Sequence, residues 1–330
     1  MVYTMGSLGE VLYLSRREVE ELRISMGKVI ETVEKAFLEK AEGKTQMPPK
    51  PGIHPDKDAF IHAMPAYLPG MRSAGVKWVS GFPQNPNRGL PYITGLLILN
   101  DVKTGVPSCV MDCTWVTAKR TGAVTAVAAK RLAREDSKVL GVLGCGVQGR
   151  SNLEALKEVC KDLEKVKAYD TKLESLQAYV EEMTSKYRIE VVSADSPKKA
   201  VEQCDVVVTA GPILKHPLPV IEASWFKEGG FGCALDFDSY WTPAAMHSMD
   251  KFCTDDGDQL AYYRGIGYFS SIPDVYAELE EVVSGKRPGR VNPQERIMSM
   301  NLGLAIADMA TATLVYKTAK RRGIGTWLPL

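Results

Sequence analysis

The run Gly144-Cys145-Gly146-Val147-Gln148-Gly149 is the part of this chain whose residue types and spacing most directly suggest chemistry. Three glycines at this spacing do separate jobs at a dinucleotide site. One permits a tight turn, one lets the backbone approach a pyrophosphate, and one allows a helix to pack closely on a strand. The run follows an apolar segment at 138–143 and opens a helical stretch, which puts it at a strand-to-helix turn. A helix beginning there offers free N–H groups and a positive dipole end to phosphate. Asp170 follows about 20 residues on, at the end of the next apolar segment, where an acid accepts hydrogen bonds from the adenosine ribose hydroxyls. Its charge repels a 2′-phosphate, so NAD is expected over NADP, with Lys172 nearby softening the preference.

Such a turn needs a doubly wound parallel sheet to hold it. Short β-branched runs at 138–143, 166–170, 189–192 and 205–209 alternate with helical segments at 153–159, 173–186 and 198–203, the βαβα pattern of a Rossmann domain. The first third reads differently. Leu12 to Leu14 suggests a short strand, and Ser15-Arg16-Arg17-Glu18 reads as a capping box opening a helix. A second helix spans about 25–42 and stops at Gly43. After a stiff loop, Met47-Pro48-Pro49-Lys50-Pro51-Gly52, extended runs at 59–64, 75–80, 92–99 and 106–111 predict antiparallel strands. An alanine-rich helix follows at 117–134. The stretch 293–322 reads as one long helix, apolar almost all round, buried most simply between two domains. The expected organisation is α/β: an α+β domain over 1–120, a Rossmann domain over 121–293, and a C-terminal helix over 294–330 returning to the first domain.

A formal net charge of +1 gives no pull toward nucleic acid or an anionic membrane. No charged-then-apolar leader and no apolar run of bilayer length is visible, so a cytoplasmic protein is expected. Seven scattered cysteines form no CxxC pair, and four histidines show no zinc-ligand spacing. The cysteines read as small hydrophobes in a reducing compartment, with no metal and no disulfide framework.

Several blocks in fixed order make the chain similar to the ornithine cyclodeaminase/mu-crystallin family, which includes archaeal alanine dehydrogenases and ketimine reductases. The blocks are Met64-Pro65-Ala66-Tyr67, Gly75-Val76-Lys77, Gly89-Leu90-Pro91, Thr117-Ala118-Lys119-Arg120-Thr121-Gly122 and Gly144–Gly149. The resemblance implies an N-terminal substrate and dimerisation domain, a Rossmann domain and a homodimer. It also implies that Lys77 and Arg120, with the first-loop basic residue Lys50, bind a substrate carboxylate, and that Asp238 faces the reacting nitrogen, with Asp236 a competitor for that role. Thr121 and the loop Thr209-Ala210-Gly211 join Gly144, Gly146, Val147, Gln148, Gly149 and Asp170 as cofactor-binding positions. The residue types suit these roles. Lys77 lies between Val76 and Trp78 in an otherwise apolar strand, and a carboxylate beside it offsets the cost of desolvating an ammonium. Arg120 adds planar, bidentate capture.

Two positions depart from the cyclodeaminases, one of them the first-loop basic residue, usually arginine, which is Lys50 here. The cyclodeaminases also carry a glutamate two residues before the Met-Pro pair, where this chain has His62, a candidate proton relay or an inert strand histidine. A histidine does not serve as an anionic partner for a diamino acid. The leading expectation is therefore an NAD(H)-dependent enzyme acting by hydride transfer on a small amino acid, 2-imino acid or cyclic ketimine. The alternatives are a cyclodeaminating ammonia-lyase using NAD catalytically, and a non-catalytic binder of a small aromatic ligand. Trp78, Phe82, Tyr240 and Trp241 read either as pocket walls with aromatic lining or as core.

Overall fold

The computed structural model describes residues 9–269 and 271–330. In chain order the first elements are β1 (Glu10–Leu14), α1 (Arg16–Glu21), α2 (Met26–Ala41), β2 (Gly52–Ile53), β3 (Phe60–Leu68), β4 (Ser73–Gly81), β5 (Ile93–Asn100), β6 (Pro107–Asp112) and α3 (Thr114–Leu132). Then come β7 (Val139–Leu143), α4 (Val147–Val159), β8 (Lys165–Tyr169), α5 (Leu173–Tyr187), β9 (Glu190–Ser193), α6 (Pro197–Val201), β10 (Val206–Thr209) and β11 (Phe231–Ala234). The chain ends with α7 (Pro243–His247), β12 (Lys251–Thr254), α8 (Gly257–Gly265), β13 (Ala277–Glu278), α9 (Leu279–Val283), β14 (Ile297–Met300), α10 (Ala305–Arg322) and β15 (Thr326–Pro329). It forms two compact units. One comprises the residues up to Arg120 together with Leu304–Leu330, the other Thr121–Gly303.

The first unit is built on a seven-stranded sheet ordered β15-β1-β6-β5-β4-β3-β2. The neighbours from β2 to β6 pair antiparallel, as the extended runs predict, whereas β1 lies parallel to β6. The Ser15 capping box is present: the Glu18 amide donates to Ser15 Oγ and the Ser15 amide to Glu18 Oε2. On β4 the residues Ser73, Lys77 and Val79 are buried while Trp78 is exposed, the alternation of a sheet with one covered face. Helix α10 covers that face, packing against β3, β4, β5 and α2. Ser73 Oγ ties strand to helix by donating to the Met309 carbonyl at 2.9 Å. Gly75 has φ +157, and a Cβ there would sit 2.0 Å from the Ile98 carbonyl oxygen, so a side chain would drive β4 from β5.

The second unit carries an eight-stranded sheet ordered β13-β12-β14-β11-β10-β7-β8-β9, with every neighbour pair parallel. Its half from β9 to β11 has the doubly wound order in which the chain reverses direction between β7 and β10, the place where such sheets bind ligands. Its core joins Phe226, Trp241, Phe252, Met298 and Met300 around the strands.

Two expectations change. The stretch 293–322 is not one helix: Ile297–Met300 is a strand, buried on both sides between β11 and β12, and the helix starts only at Ala305. A short apolar run without polar alternation fits a fully buried parallel strand as well as a helix, and pairing on both edges decided here. The helix itself is buried by its own unit, through α2 and strands β3 to β5. Of the aromatic residues open to either reading, Trp241 is fully buried core, edge-on to Phe226 at 5.3 Å between ring centroids.

Candidate active site

The turn after β7 has the geometry a dinucleotide diphosphate requires. Gly144 adopts φ +101, and a Cβ on it would lie 2.5 Å from the Ala210 carbonyl oxygen. Gly149 packs so closely that a Cβ would stand 2.3 Å from the Gly144 carbonyl oxygen. Gly146 faces open space and is the N-cap of α4 without any side-chain capping bond. The first turn of α4 thus keeps amide donors for an anion. Arg150 braces the loop from behind, donating to the Cys145 and Gly146 carbonyls while its Nε pairs with Glu182 at 2.7 Å.

Asp170 is held at the end of β8. Its two oxygens accept from the Cys145 amide and the Lys172 amide, each at 2.8 Å. That fixes the carboxylate and leaves further lone pairs for ribose hydroxyls. Val147 is exposed at the start of α4, and Gln148 is half-buried behind it. Thr121, also half-buried, is the first residue of this unit.

The end of β10 is organised by Asp236. Its Oδ1 accepts from Thr209 Oγ1 at 2.7 Å and its Oδ2 from the Gly211 amide at 2.7 Å, while Trp241 Nε1 donates to Thr209 Oγ1 at 3.2 Å. Burial pushes the Asp236 carboxyl up to about 7, against the lowering effect of those hydrogen bonds and with a further rise from Asp238. Both Asp236 oxygens serve the loop that carries Thr209, Ala210 and Gly211. Asp238 is also buried, at the end of the segment that follows β11. Tyr240 lies against Gly211, where a Cβ would approach its ring to 2.6 Å.

In the first unit the fold gathers Lys77 and Arg120 from different elements onto one carboxylate. Lys77, in the buried row of β4 between Met64 and Leu97, is 1% exposed. Its Nζ donates to Asp308 Oδ1 at 2.7 Å. Arg120, in α3, brings Nε to 2.9 Å from the same oxygen. The Arg120 contact is close but not aligned as a hydrogen bond, so it acts through charge. Burial and then Arg120 lower the Lys77 ammonium to about 8, while Asp308 pulls it back up. Asp308 itself was not among the residues expected from sequence. A signal was there: it is the one charged residue in the apolar stretch from 297 to 316.

His62 is buried on β3, stacked on Phe60 at 4.3 Å between centroids. Burial, with Lys50, His54 and Lys77 nearby, pushes its imidazole down to about 3. A base that weak takes up no proton near neutral pH, which argues against a relay role. Lys50, also buried, precedes the short strand β2, where Gly52 is paired with His62. Among the described residues no group of His, Cys, Asp and Glu could hold a metal ion.

Comparison with known proteins accords with this arrangement. The model of the ornithine cyclodeaminase/mu-crystallin family matches residues 10–323. An alanine dehydrogenase of Archaeoglobus fulgidus is 38% identical over 325 residues, which is 96% of this chain and 98% of that one. The Thermococcus litoralis Δ1-pyrroline-2-carboxylate reductase, solved with NADH and L-proline, aligns with a TM-score of 0.87 at 36% identity, covering 96% of this chain and 99% of that one. An archaeal alanine dehydrogenase dimer with bound NAD gives 0.86, also at 36% identity, covering 97% and 99%. With a match over nearly its whole length and the glycine turn and cationic pair in place, this chain belongs to the ornithine cyclodeaminase/mu-crystallin family.

Proposed function

We infer that this protein is an NAD(H)-dependent oxidoreductase that acts on a small amino acid, 2-imino acid or cyclic ketimine at its α-carbon. The observation that carries the reading is the buried pairing of Lys77 with Arg120, two cations taken from water in a chain that also has a complete dinucleotide turn. Burying like charges together is costly unless anions offset them. Lys77, Arg120 and Lys50 hold the substrate carboxylate and fix its orientation. The dinucleotide, bound along Gly144–Gly149 and Asp170 and bordered by Thr121 and the Thr209–Gly211 loop, supplies or accepts the hydride. Asp238 holds or receives the proton on the reacting nitrogen. Asp236 is occupied by the Thr209–Gly211 loop, which supports Asp238 for that task. Holding the reactants in fixed orientation provides much of the rate.

A neutral His62 does not attract the distal ammonium of a diamino acid, which favours net redox chemistry over cyclodeamination. The relatives described above, a dehydrogenase and a reductase, support the same side. The deciding assay follows nicotinamide absorbance with NADH plus either pyruvate and ammonia or Δ1-pyrroline-2-carboxylate. Consumption of NADH is expected. Ammonia release from ornithine with catalytic NAD, and no net NADH consumption with either mixture, would reject the reading.

The protein is further inferred to be a homodimer. Trp78 and Leu96 face each other across β4 and β5 and are 49% and 44% exposed, on the sheet face opposite α10. Apolar area of this kind is costly in water and suits a partner. No helix among the described residues is long and apolar enough to cross a membrane. All seven cysteines are buried and free, which supports a reducing compartment such as the cytoplasm.

A further inference from the structure

We propose that Asp308 is a positioning residue, a buried counter-charge that gathers Lys77 and Arg120 into one carboxylate-binding pair. This rests on the reading of those two side chains as the grip on the substrate acid group. Asp308 lies in the first turn of α10, with none of its surface exposed. It joins β4, α3 and α10 at a single oxygen, Oδ1. Its Oδ2 is buried and has no hydrogen-bond partner. A carboxylate placed only for stability would be expected to engage both oxygens. This one leaves half its accepting capacity unused, while an ammonium with three N–H donors and a guanidinium with five share one oxygen. Neither cation is saturated by Asp308, and both keep donors for a second carboxylate.

The electrostatics follow the geometry. The groups facing Lys77 are Arg120 from α3, Asp308 from α10, the Cys113 thiol from just before α3, and His62 from β3. Burial raises Cys113 to about 11 and lowers His62 to about 3, so neither changes charge between pH 5 and 9. Asp308 is then the anion that opposes Arg120 at Lys77. Without it Lys77 sheds its proton below its present value of about 8. Asp308 thereby sets the pH range in which the substrate acid group is bound.

The test is Asp308→Asn, with Asp308→Glu and Lys77→Met beside it, in the full chain. KM and kcat are measured for Δ1-pyrroline-2-carboxylate with NADH from pH 6 to 9.5, and pyruvate binding to the NADH complex is measured by calorimetry over the same range. In the wild type both affinities should weaken above a limb near 8. In Asp308→Asn the limb should fall by at least one pH unit, so that at pH 8 affinity drops about fivefold more than at pH 6. NADH affinity should stay within twofold. Asp308→Glu, which retains the charge, should retain the limb near 8 even if its KM rises. An Asn variant with an unmoved limb overturns the proposal, whether or not its KM is uniformly raised. If the Asn variant does not fold, a lowered limb in Asp308→Glu overturns it. Lys77→Met separates the two layers: if it binds pyruvate as tightly as the wild type, the carboxylate-grip reading fails and not the pairing by Asp308.

Discussion

Asp236 is expected to make the second unit lose stability as pH rises, and Asp236→Asn should abolish that loss. The side chain is completely buried, and burial lifts its carboxyl from the ordinary 3.8 to about 7. Between those values the unfolded chain has released the proton and the folded chain has kept it. Folding stability therefore falls with rising pH, by about 1.4 kcal/mol per unit. Over about three units the loss is roughly 4 kcal/mol. It is absent below pH 4, grows up to about 7 and levels off above. Asparagine keeps an oxygen for the Gly211 amide and can donate to Thr209 Oγ1, so it replaces the protonated acid in shape and bonding. The two units need not unfold together, so stability is best read locally. Pulse-labelling hydrogen exchange across a urea series at pH 5, 6, 7 and 8, scored on peptides from β10 and β11, isolates this region. The wild-type midpoint should fall between pH 5 and 7 relative to that of the variant and change little from 7 to 8. Parallel pH trends in the two proteins would show that Asp236 is not protonated in the fold and would refute the reasoning.

Other substitutions test the remaining assignments. Asp170→Ser removes a charge that would face a 2′-phosphate. At about 4 Å and a water-like dielectric, against two charges, that is worth about 2 kcal/mol, so the NADP-to-NAD affinity ratio should rise roughly 30-fold; an unchanged ratio would mean the acid does not face the ribose. Gly149→Ala must fit a methyl where the Gly144 carbonyl oxygen is 2.3 Å away. Overpacking of that kind costs roughly 1–3 kcal/mol, so NADH titration should show clearly weaker binding, and wild-type affinity would disprove the close packing. Replacing Trp78 and Leu96 together by lysine should give monomers in light scattering, whereas a persistent dimer would move the interface elsewhere.

Much of this protein is written in short-range pattern. The Gly144–Gly149 turn, the acid at 170 and the alternating β-branched runs need only neighbouring residues to be recognised, because turn geometry and helix dipoles are local properties. The capping box at Ser15 and the stop at Gly43 are local in the same way. Lys77 was marked by a charge in an apolar strand, and Arg120 by its sequence block. Distance along the chain hid the rest. Lys77 and Asp308 are 231 residues apart, and no periodicity links a strand residue to a helix residue across that span. Residues 297–300 could not be assigned as a strand until β11 and β12 closed on both edges. Asp236 and Asp238 are alike in sequence and differ in their surroundings: only packing decided that one would clamp Thr209 and Gly211. Tertiary structure also set the ionisation. Burial made His62 a neutral ring and Lys77 a weakened acid–base group, because the cost of a charge depends on the solvent and charges around it, which a linear sequence does not specify.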